Sequence, residues 1–284
     1  MSKIKIIADS GSTKTDWVIV NLDSKETKKI RTIGFNPYFQ NSDLISQEVR
    51  KGFEPLNDLL NQVDEVIYYG AGCSSSEKNI IIERALSPIF TNAKIKINHD
   101  LSAAAMATLG DESGIACIIG TGSNSCLWES NKVTANIPSH GYIFGDEASG
   151  AYLGKELLKL YLSDNLAEEL VNALEHRFKT SKEEILYATY RGKSPNVFLA
   201  NFAVFFSEHK AHPQIEAILR EGFRTFFDIR IIPYKDYKNY PLGFVGSIAF
   251  YFQDLLIEIA KDYGVEVKTI VQCPIDNLVS YHSK

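Results

Sequence analysis

The chain has 284 residues, 45% of them apolar and 23% charged, with 30 basic and 35 acidic side chains and a formal net charge of −5. That length suffices for two lobes with separate cores. The acidic balance and the lack of a basic run speak against nucleic acid as a partner. No apolar stretch reaches the length of a bilayer span, which argues against a membrane. The opening "MSKIKIIADSG" enters a strand pattern without a signal-peptide core, so the cytoplasm is the expected compartment.

In chain order, residues 3–8, 16–22 and 27–34 ("KIKIIA", "DWVIVNL", "TKKIRTIG") predict a three-stranded meander. A helix is expected over 42–60, with Ser42 or Asp43 as its N-cap. "EVIYYGAG" reads as a short buried strand, "SEKNIIIERALSPIF" as a helix, "AKIKIN" as a strand and "DLSAAAMATL" as a helix. At Gly114 the pattern begins again with three strand-like runs, "GIACIIG", "SCLWES" and "KVTANIP". Helical regions follow over about 149–176, 195–209 and 212–230. "PLGFVG" then leads into one helix, "SIAFYFQDLLIEIAKDYG", before a late strand, "VKTIVQCP", and a short final helix, "IDNLVSYH".

The restart aligns residue by residue. Gly11 on Gly122 places Ile7 on Ile118, Ser10 on Thr121, Ser12 on Ser123 and Trp17 on Trp128, the two Trp of the chain. A duplicated strand–turn–strand is therefore expected, with its two small-residue hairpins facing each other across a cleft between lobes.

Both hairpins, "DSGSTKT" and "GTGSNS", suit an anion nest, in which backbone N–H groups and hydroxyls surround a phosphate and Gly lets it approach. Neither is a Walker A loop or a GxGxxG fingerprint, and either alone is equally a plain β-turn. Asp9 beside the first nest suggests a magnesium ion reached through water, against an Asx-turn. Asp100 is an N-cap or a general base for a hydroxyl. Asp146 and Glu147 in "GYIFGDEASGAYLG" are helix-end charges or acceptors for sugar hydroxyls. Asn36 in "GFNP" is a turn residue or a ligand amide. Gly243 and Gly246 in "GFVGS" allow a base to approach or a strand to pack tightly on a helix. Cys73, Cys117, Cys126 and Cys273 form no CxxC pair and read as reduced thiols.

Taken in order, "DSGSTKTDW", "GFNP", "HDLSAA", "IIGTGSNS", "GDEASGAYLG" and "GFVGS" resemble the sugar kinase, chaperone and actin superfamily, and within it the BadF/BadG/BcrA/BcrD ATPase family with its N-acetylglucosamine kinase members. The resemblance implies an α/β fold of two ribonuclease H-like (actin-like ATPase) lobes around a central cleft, 1–105 and 106–284, with the final helix at about 275–284 packing back on the first lobe. It implies ATP and Mg2+ as cofactors and an amino sugar, N-acetylglucosamine, phosphorylated at its 6-hydroxyl. By that analogy Asp100 is the catalytic base and Asp9 holds the metal through water. Gly11, Ser12, Thr13, Lys14, Thr121, Gly122, Gly243, Gly246 and Ser247 serve ATP. Asn36, Ser123, Asn124, Asp146 and Gly150 serve the sugar.

The chain departs from the family pattern at Ser10, where Gly is common, and at Ala148 and Gly150, which bears on which sugar is taken. The sugar is the partner expected, and a homodimer stays open. Two alternatives stand beside the kinase: an ATPase activator holding an iron–sulfur cluster between subunits, and a sugar sensor without turnover.

Overall fold

The computed structural model describes residues 3–283; the expected ranges 1–105 and 106–284 include Met1, Ser2 and Lys284, which lie outside the described residues. The chain divides into two units. The first runs to Asp111 and takes back the chain from Cys273 onward; the second is Glu112–Gln272.

In the first unit, β1 (Ile4–Ser10), β2 (Lys14–Asn21) and β3 (Thr27–Ile33) form an antiparallel meander. β4 (Val63–Gly70) and β5 (Lys94–His99) continue the sheet in parallel with β1, in the order β3-β2-β1-β4-β5. Alternate residues of a strand point to opposite faces, and both faces of this sheet are apolar. Ile6, Ala8, Trp17, Val66 and Tyr68 pack with Ile45, Val49 and Phe53 of α1 (Ser42–Phe53) and with Ile82 and Leu86 of α3 (Ser76–Leu86). Ile7, Val18, Val20, Ile67 and Tyr69 pack with Ala103 and Ala107 of α4 (Asp100–Thr108) and with Ile275 and Leu278 of the C-terminal helix (Ile275–His282). Burial on both sides explains the unbroken apolar runs in β1 and β4. It also explains why the unit ends past α4: a cut at 105/106 would divide a helix whose Ala103 and Ala107 belong to one core.

The second unit repeats the order. β6 (Gly114–Ile119), β7 (Ser123–Glu129) and β8 (Lys132–Ile137) make the meander, and β9 (Leu242–Val245) and β10 (Val267–Val271) add in parallel, giving β10-β9-β6-β7-β8. In both units the first strand lies between the second and the fourth, the ribonuclease H-like arrangement of actin-like ATPases. Around this sheet run α5 (Gly141–Phe144), α6 (Gly150–Leu162), α7 (Glu168–Phe178), α8 (Lys182–Arg191), α9 (Pro195–Ala200), α10 (Ala203–Glu208), α11 (Pro213–Arg230), α12 (Ser247–Tyr251) and α13 (Gln253–Asp262). One core holds them to β6 and β9 through residues such as Leu153, Leu157, Phe205, Leu219, Phe227, Phe244 and Leu256.

Several expected helices are shorter than the apolar pattern suggested. The helix expected over 42–60 stops at Phe53 and continues only as a 3-10 turn (Glu54–Leu56) and one turn, α2 (Asn57–Leu60). Pro55 lacks the N–H that a continuing helix needs. Its N-cap is Asn41, whose side chain accepts from Leu44 N–H, and neither Ser42 nor Asp43. The region 149–176 is two helices, α6 and α7, and 195–209 is α9 and α10. The helix after "GFVG" breaks at Phe252, with φ −112° and ψ 26°. Helix α8 was absent from the expectation, although Ser181 and Glu184 close a capping box at its start.

The duplicated topology is present, but the residue match is not. Trp17 lies opposite Ala8, two pairs in from the closing pair Ser10–Thr15. Trp128 lies opposite Gly114, five pairs in from Ile119–Ser123. Superposing the first strands and their turns therefore sets Gly11 against Gly120, the residue that follows each first strand, and not against Gly122. The two Trp fall at the same offset by coincidence.

Among the described residues, no helix is long and apolar enough to cross a membrane. All four cysteines are free thiols. The C-terminal helix is held to its unit by Leu278, which is fully buried. Leu278→Ala should cost about 2–5 kcal/mol, read as a lower urea midpoint with an unchanged slope.

Candidate active site

The first hairpin is closed by its own backbone and by a neighbouring strand end. Gly11 N–H donates to Lys14 O at 3.0 Å, and Gly34 N–H donates to Thr13 O at 3.1 Å. The Ser10 hydroxyl, fully buried, lies 2.7 Å from the Thr15 hydroxyl and accepts from Phe35 N–H at 3.1 Å. Ser10 and Thr15 thus tie β1 and β2 to the segment after β3, which gives the Ser10 hydroxyl an internal task. Ser12, Thr13 and Lys14 stand exposed at the tip. Lys14 was expected to face phosphate; its ammonium sits 2.6 Å from Asp16 Oδ2. A Cβ on Gly34 would lie 2.3 Å from Gly11 O, so Gly34 is a required part of this loop that sequence reasoning missed.

Carboxylates gather around the same end of the sheet. Asp9, half-buried at the end of β1, has its pKa pushed up to about 7, by burial first and then by the charges of Asp100 and Asp16. Asp16, on β2, was not anticipated as a site residue. Burial would raise its pKa, but Lys14, Arg31 (Nε to Oδ1, 2.7 Å) and the Cys273 thiol (3.2 Å) hold it below the ordinary value. Asp100 is the first residue of α4. The expected N-cap role belongs instead to His99, whose Nδ1 accepts from Leu101 N–H at 3.1 Å. The Asp100 Oδ1 is buried and has no hydrogen-bond donor in that arrangement. Among the described residues, no three His, Cys, Asp or Glu side chains gather to hold a metal. Asn36 forms an Asx-turn, its Oδ1 accepting from Tyr38 N–H at 3.0 Å. That oxygen also explains Gly72, whose Cβ would lie 2.5 Å from it.

In the second unit, the backbone of residues 120–123 is tied to the "GDEASG" segment. Gly120 N–H donates to Gly122 O at 2.9 Å. Gly150 and Ala151, the first residues of α6, donate to the carbonyls of Gly120 and Thr121 at 2.8 and 3.1 Å. The Gly150 N–H is therefore committed to the chain. Asp146 accepts from Ser123 N–H at 3.1 Å and from the Ser139 hydroxyl at 2.5 Å. Asp146 and Ala148 hold positive φ, 56° and 60°, in a non-glycine turn that is strained and needs support. The Ser123 hydroxyl is buried without a partner, an orphan donor of the kind a ligand satisfies. Asn124 Oδ1 accepts from Asn136 Nδ2 at 3.1 Å. Gly243 is buried within β9, opposite Ala116. Gly246 has φ 124°, and a Cβ there would lie 2.3 Å from Ile119 O, so tight packing against the second loop explains it. Ser247 is exposed at the start of α12.

The support for the Asp146 turn comes from Arg230, which sequence reasoning did not single out. Its side chain is 1% exposed. Nε donates to Glu147 Oε2 at 2.8 Å, and Nη1 donates to the carbonyls of Ile137 and Pro138. A Cβ on Gly145 would meet Nη2 at 2.9 Å. Glu147, read from sequence as a helix-end charge or a sugar acceptor, is instead the buried partner of this Arg.

Two glycines stand apart. A Cβ on Gly11 would have nothing nearer than Lys14 O at 3.9 Å, and on Gly120 nothing within 4 Å. Neither has positive φ. The fold itself does not require glycine at either position, and both follow the first strand of a unit.

The fold and these paired loops define a chain of the sugar kinase and actin superfamily. Over 98% of both chains it is 34% identical, with a TM-score of 0.93, to the crystal structure of a candidate N-acetylglucosamine kinase from Porphyromonas gingivalis. The chain belongs to that family of N-acetylglucosamine kinase-like proteins. A second candidate of that name, from Chromobacterium violaceum, is 16% identical over 99% of both chains with a TM-score of 0.68 and shares the fold. A curated relative, the N-acetylmuramic acid/N-acetylglucosamine kinase of Clostridium acetobutylicum, is 25% identical over 198 residues. The match covers 66% of this chain and 65% of that protein's length. No protein-family model matches the chain.

The raised pKa of Asp9 has a consequence for stability. A folded-state value of about 7, above the unfolded value of 3.8, means that ionising Asp9 opposes folding. The cost is absent below the unfolded value of 3.8, builds as pH rises from there to about 7, and is complete above it. Asp9→Asn should therefore raise the melting temperature in EDTA at about pH 8, with the gain vanishing toward about pH 4. For the buried pair, Arg230→Met should cost about 3–5 kcal/mol by stranding the Glu147 charge. Glu147→Gln in the Arg230→Met background should recover part of that loss, measured by chemical denaturation.

Proposed function

We propose that the chain is an ATP-dependent kinase that phosphorylates an amino sugar, N-acetylglucosamine at its 6-hydroxyl, and that it carries the BadF/BadG/BcrA/BcrD chemistry of the resemblance in the cytoplasm. The observation that carries this reading is the pair of glycines with room for a side chain. No described residue excludes a Cβ at Gly11 or Gly120, so what glycine serves there is close approach of something outside the chain. A phosphate on an exposed hairpin backbone is such a partner.

The residues present also fit the metal. Burial, and after it the charges of Asp100 and Asp16, push the proton affinity of Asp9 up, and a cation held through water would offset the cost of its negative charge. Magnesium bound there with ATP would neutralise the charge on the β- and γ-phosphates. Asp100 orients the sugar hydroxyl and accepts its proton as the new O–P bond forms and the bond from the γ-phosphorus to the bridging oxygen of ADP breaks. Ser12 and Thr13 offer hydroxyls at the first loop tip. Ser123 supplies its buried hydroxyl at the second. Asp146 and Asn36 are the sugar acceptors of this reading, and the Arg230–Glu147 pair keeps the Asp146 turn in place.

Gly11→Ala and Gly120→Ala test the reading directly. Both should melt at or slightly above the wild-type temperature, since Ala restricts the unfolded chain, while ATP affinity by calorimetry drops about tenfold or more. Wild-type nucleotide affinity in both would show that the hairpins are only turns. Asp100→Asn should cut ADP release with N-acetylglucosamine by about 10²–10⁴-fold while sugar binding persists. Sugar binding without ADP release by the wild-type chain would favour a sensor.

A further inference from the structure

Asp100 has an immediate neighbour, His99, whose role so far is only that of N-cap to α4. β5 ends at His99 and α4 begins at Asp100, so the two side chains share one strand-to-helix corner. His99 Nδ1 lies 2.7 Å from Asp100 Oδ1 and 3.1 Å from the Leu101 N–H. One nitrogen cannot serve both. A bare Nδ1 accepts from the helix N–H, whereas a protonated Nδ1 donates to the carboxylate. In the first state the buried Asp100 Oδ1 has no donor, which is costly for a carboxylate oxygen. The second state removes that cost.

We propose that His99 is a positioning residue for Asp100, donating from Nδ1 to Oδ1 so that the carboxylate is fixed in rotation and Oδ2 is left to take the proton of the sugar hydroxyl. This rests on the kinase reading above. The other titratable groups that face Asp100 are Asp9, the phenol of Tyr68 and the thiol of Cys73. Burial holds Tyr68 and Cys73 in their neutral forms, their pKa values raised. Asp9 repels, so among these groups His99 is the one cationic partner. Burial lowers the His99 pKa, but the hydrogen bond and charge of Asp100 outweigh it and leave the value above the ordinary one.

The test has two arms on the full chain. His99→Asn keeps an N-cap acceptor and replaces the cationic Nδ1 donor with a neutral amide on a shorter side chain. Its kcat for ADP release with N-acetylglucosamine should fall about tenfold or more, with the melting temperature retained and both KM values within about threefold of wild type. In the second arm, the His99 ring is titrated by NMR in wild type and in Asp100→Asn. The pKa should be lower in the variant, because the charged acceptor is gone. A His99→Asn kcat within about twofold of wild type, or a His99 titration that Asp100→Asn does not move, overturns the proposal. A wild-type chain that phosphorylates no sugar overturns the kinase reading instead, and the titration arm still decides whether the pair is bonded.

Discussion

Three carboxylates at one end of the first sheet constrain everything around them. Asp9, Asp16 and Asp100 interact closely enough that the other two raise the proton affinity of the first. Like charges in a partly desolvated site need compensation, and the chain supplies it unevenly. Asp16 has Lys14 and Arg31. Asp100 has His99 at 2.7 Å. Asp9 has only the distant pull of Lys14, the weakest of the four influences on it, since that ammonium is already engaged by Asp16. The imbalance selects for a proton or a cation at Asp9. A kinase that must handle a metal-bound triphosphate can use such an imbalance, because the charge deficit disappears when the metal arrives.

Lys14 illustrates how this constraint reshapes an apparent motif. A Lys among small residues reads as a phosphate ligand. Its side chain also pairs with Asp16, so the same ammonium belongs to the carboxylate cluster. In the second unit the compensation is internal to the protein. Arg230 and Glu147 neutralise each other in the core. Arg230 also collects the free carbonyls at the end of β8, so a turn with two non-glycine residues at positive φ is held rigid. Buried pairs of this kind add little net stability; what this one provides is a fixed place for Asp146.

Much of the architecture was legible because strand periodicity and turn residues are local signals. The two meanders, the strands that follow the first of them and the restart at Gly114 come from them; β9, only four residues long, reads merely as a lead into a helix. Helix ends were less legible: Pro55 and the irregular backbone at Phe252 interrupt apolar patterns that continue on either side. The site residues that sequence reasoning missed share a physical trait. Gly34, Asp16 and Arg230 act on partners that are distant in sequence, and no spacing rule connects Arg230 with Glu147 across the length of α6 to α11. The matched Trp failed for the converse reason. A match of residues along the chain carries no information about hairpin register, which is set by where each turn closes.

Register also decides which glycines carry meaning. Gly34 and Gly246 are glycine because the backbone of the neighbouring loop occupies the place of a Cβ, at 2.3 Å in each case. They would be needed whether or not the protein binds anything. Gly11 and Gly120 occupy equivalent places after the first strands, with room for a Cβ and without positive φ. Alanine there should not weaken the fold, so stability alone gives no reason for glycine at both. Under the kinase reading proposed above, the reason lies in what approaches the two hairpins from outside. The packed glycines let the backbones of neighbouring segments meet, while the unpacked ones leave each hairpin without a side chain at the point where, under the proposed reading, phosphate oxygens would approach.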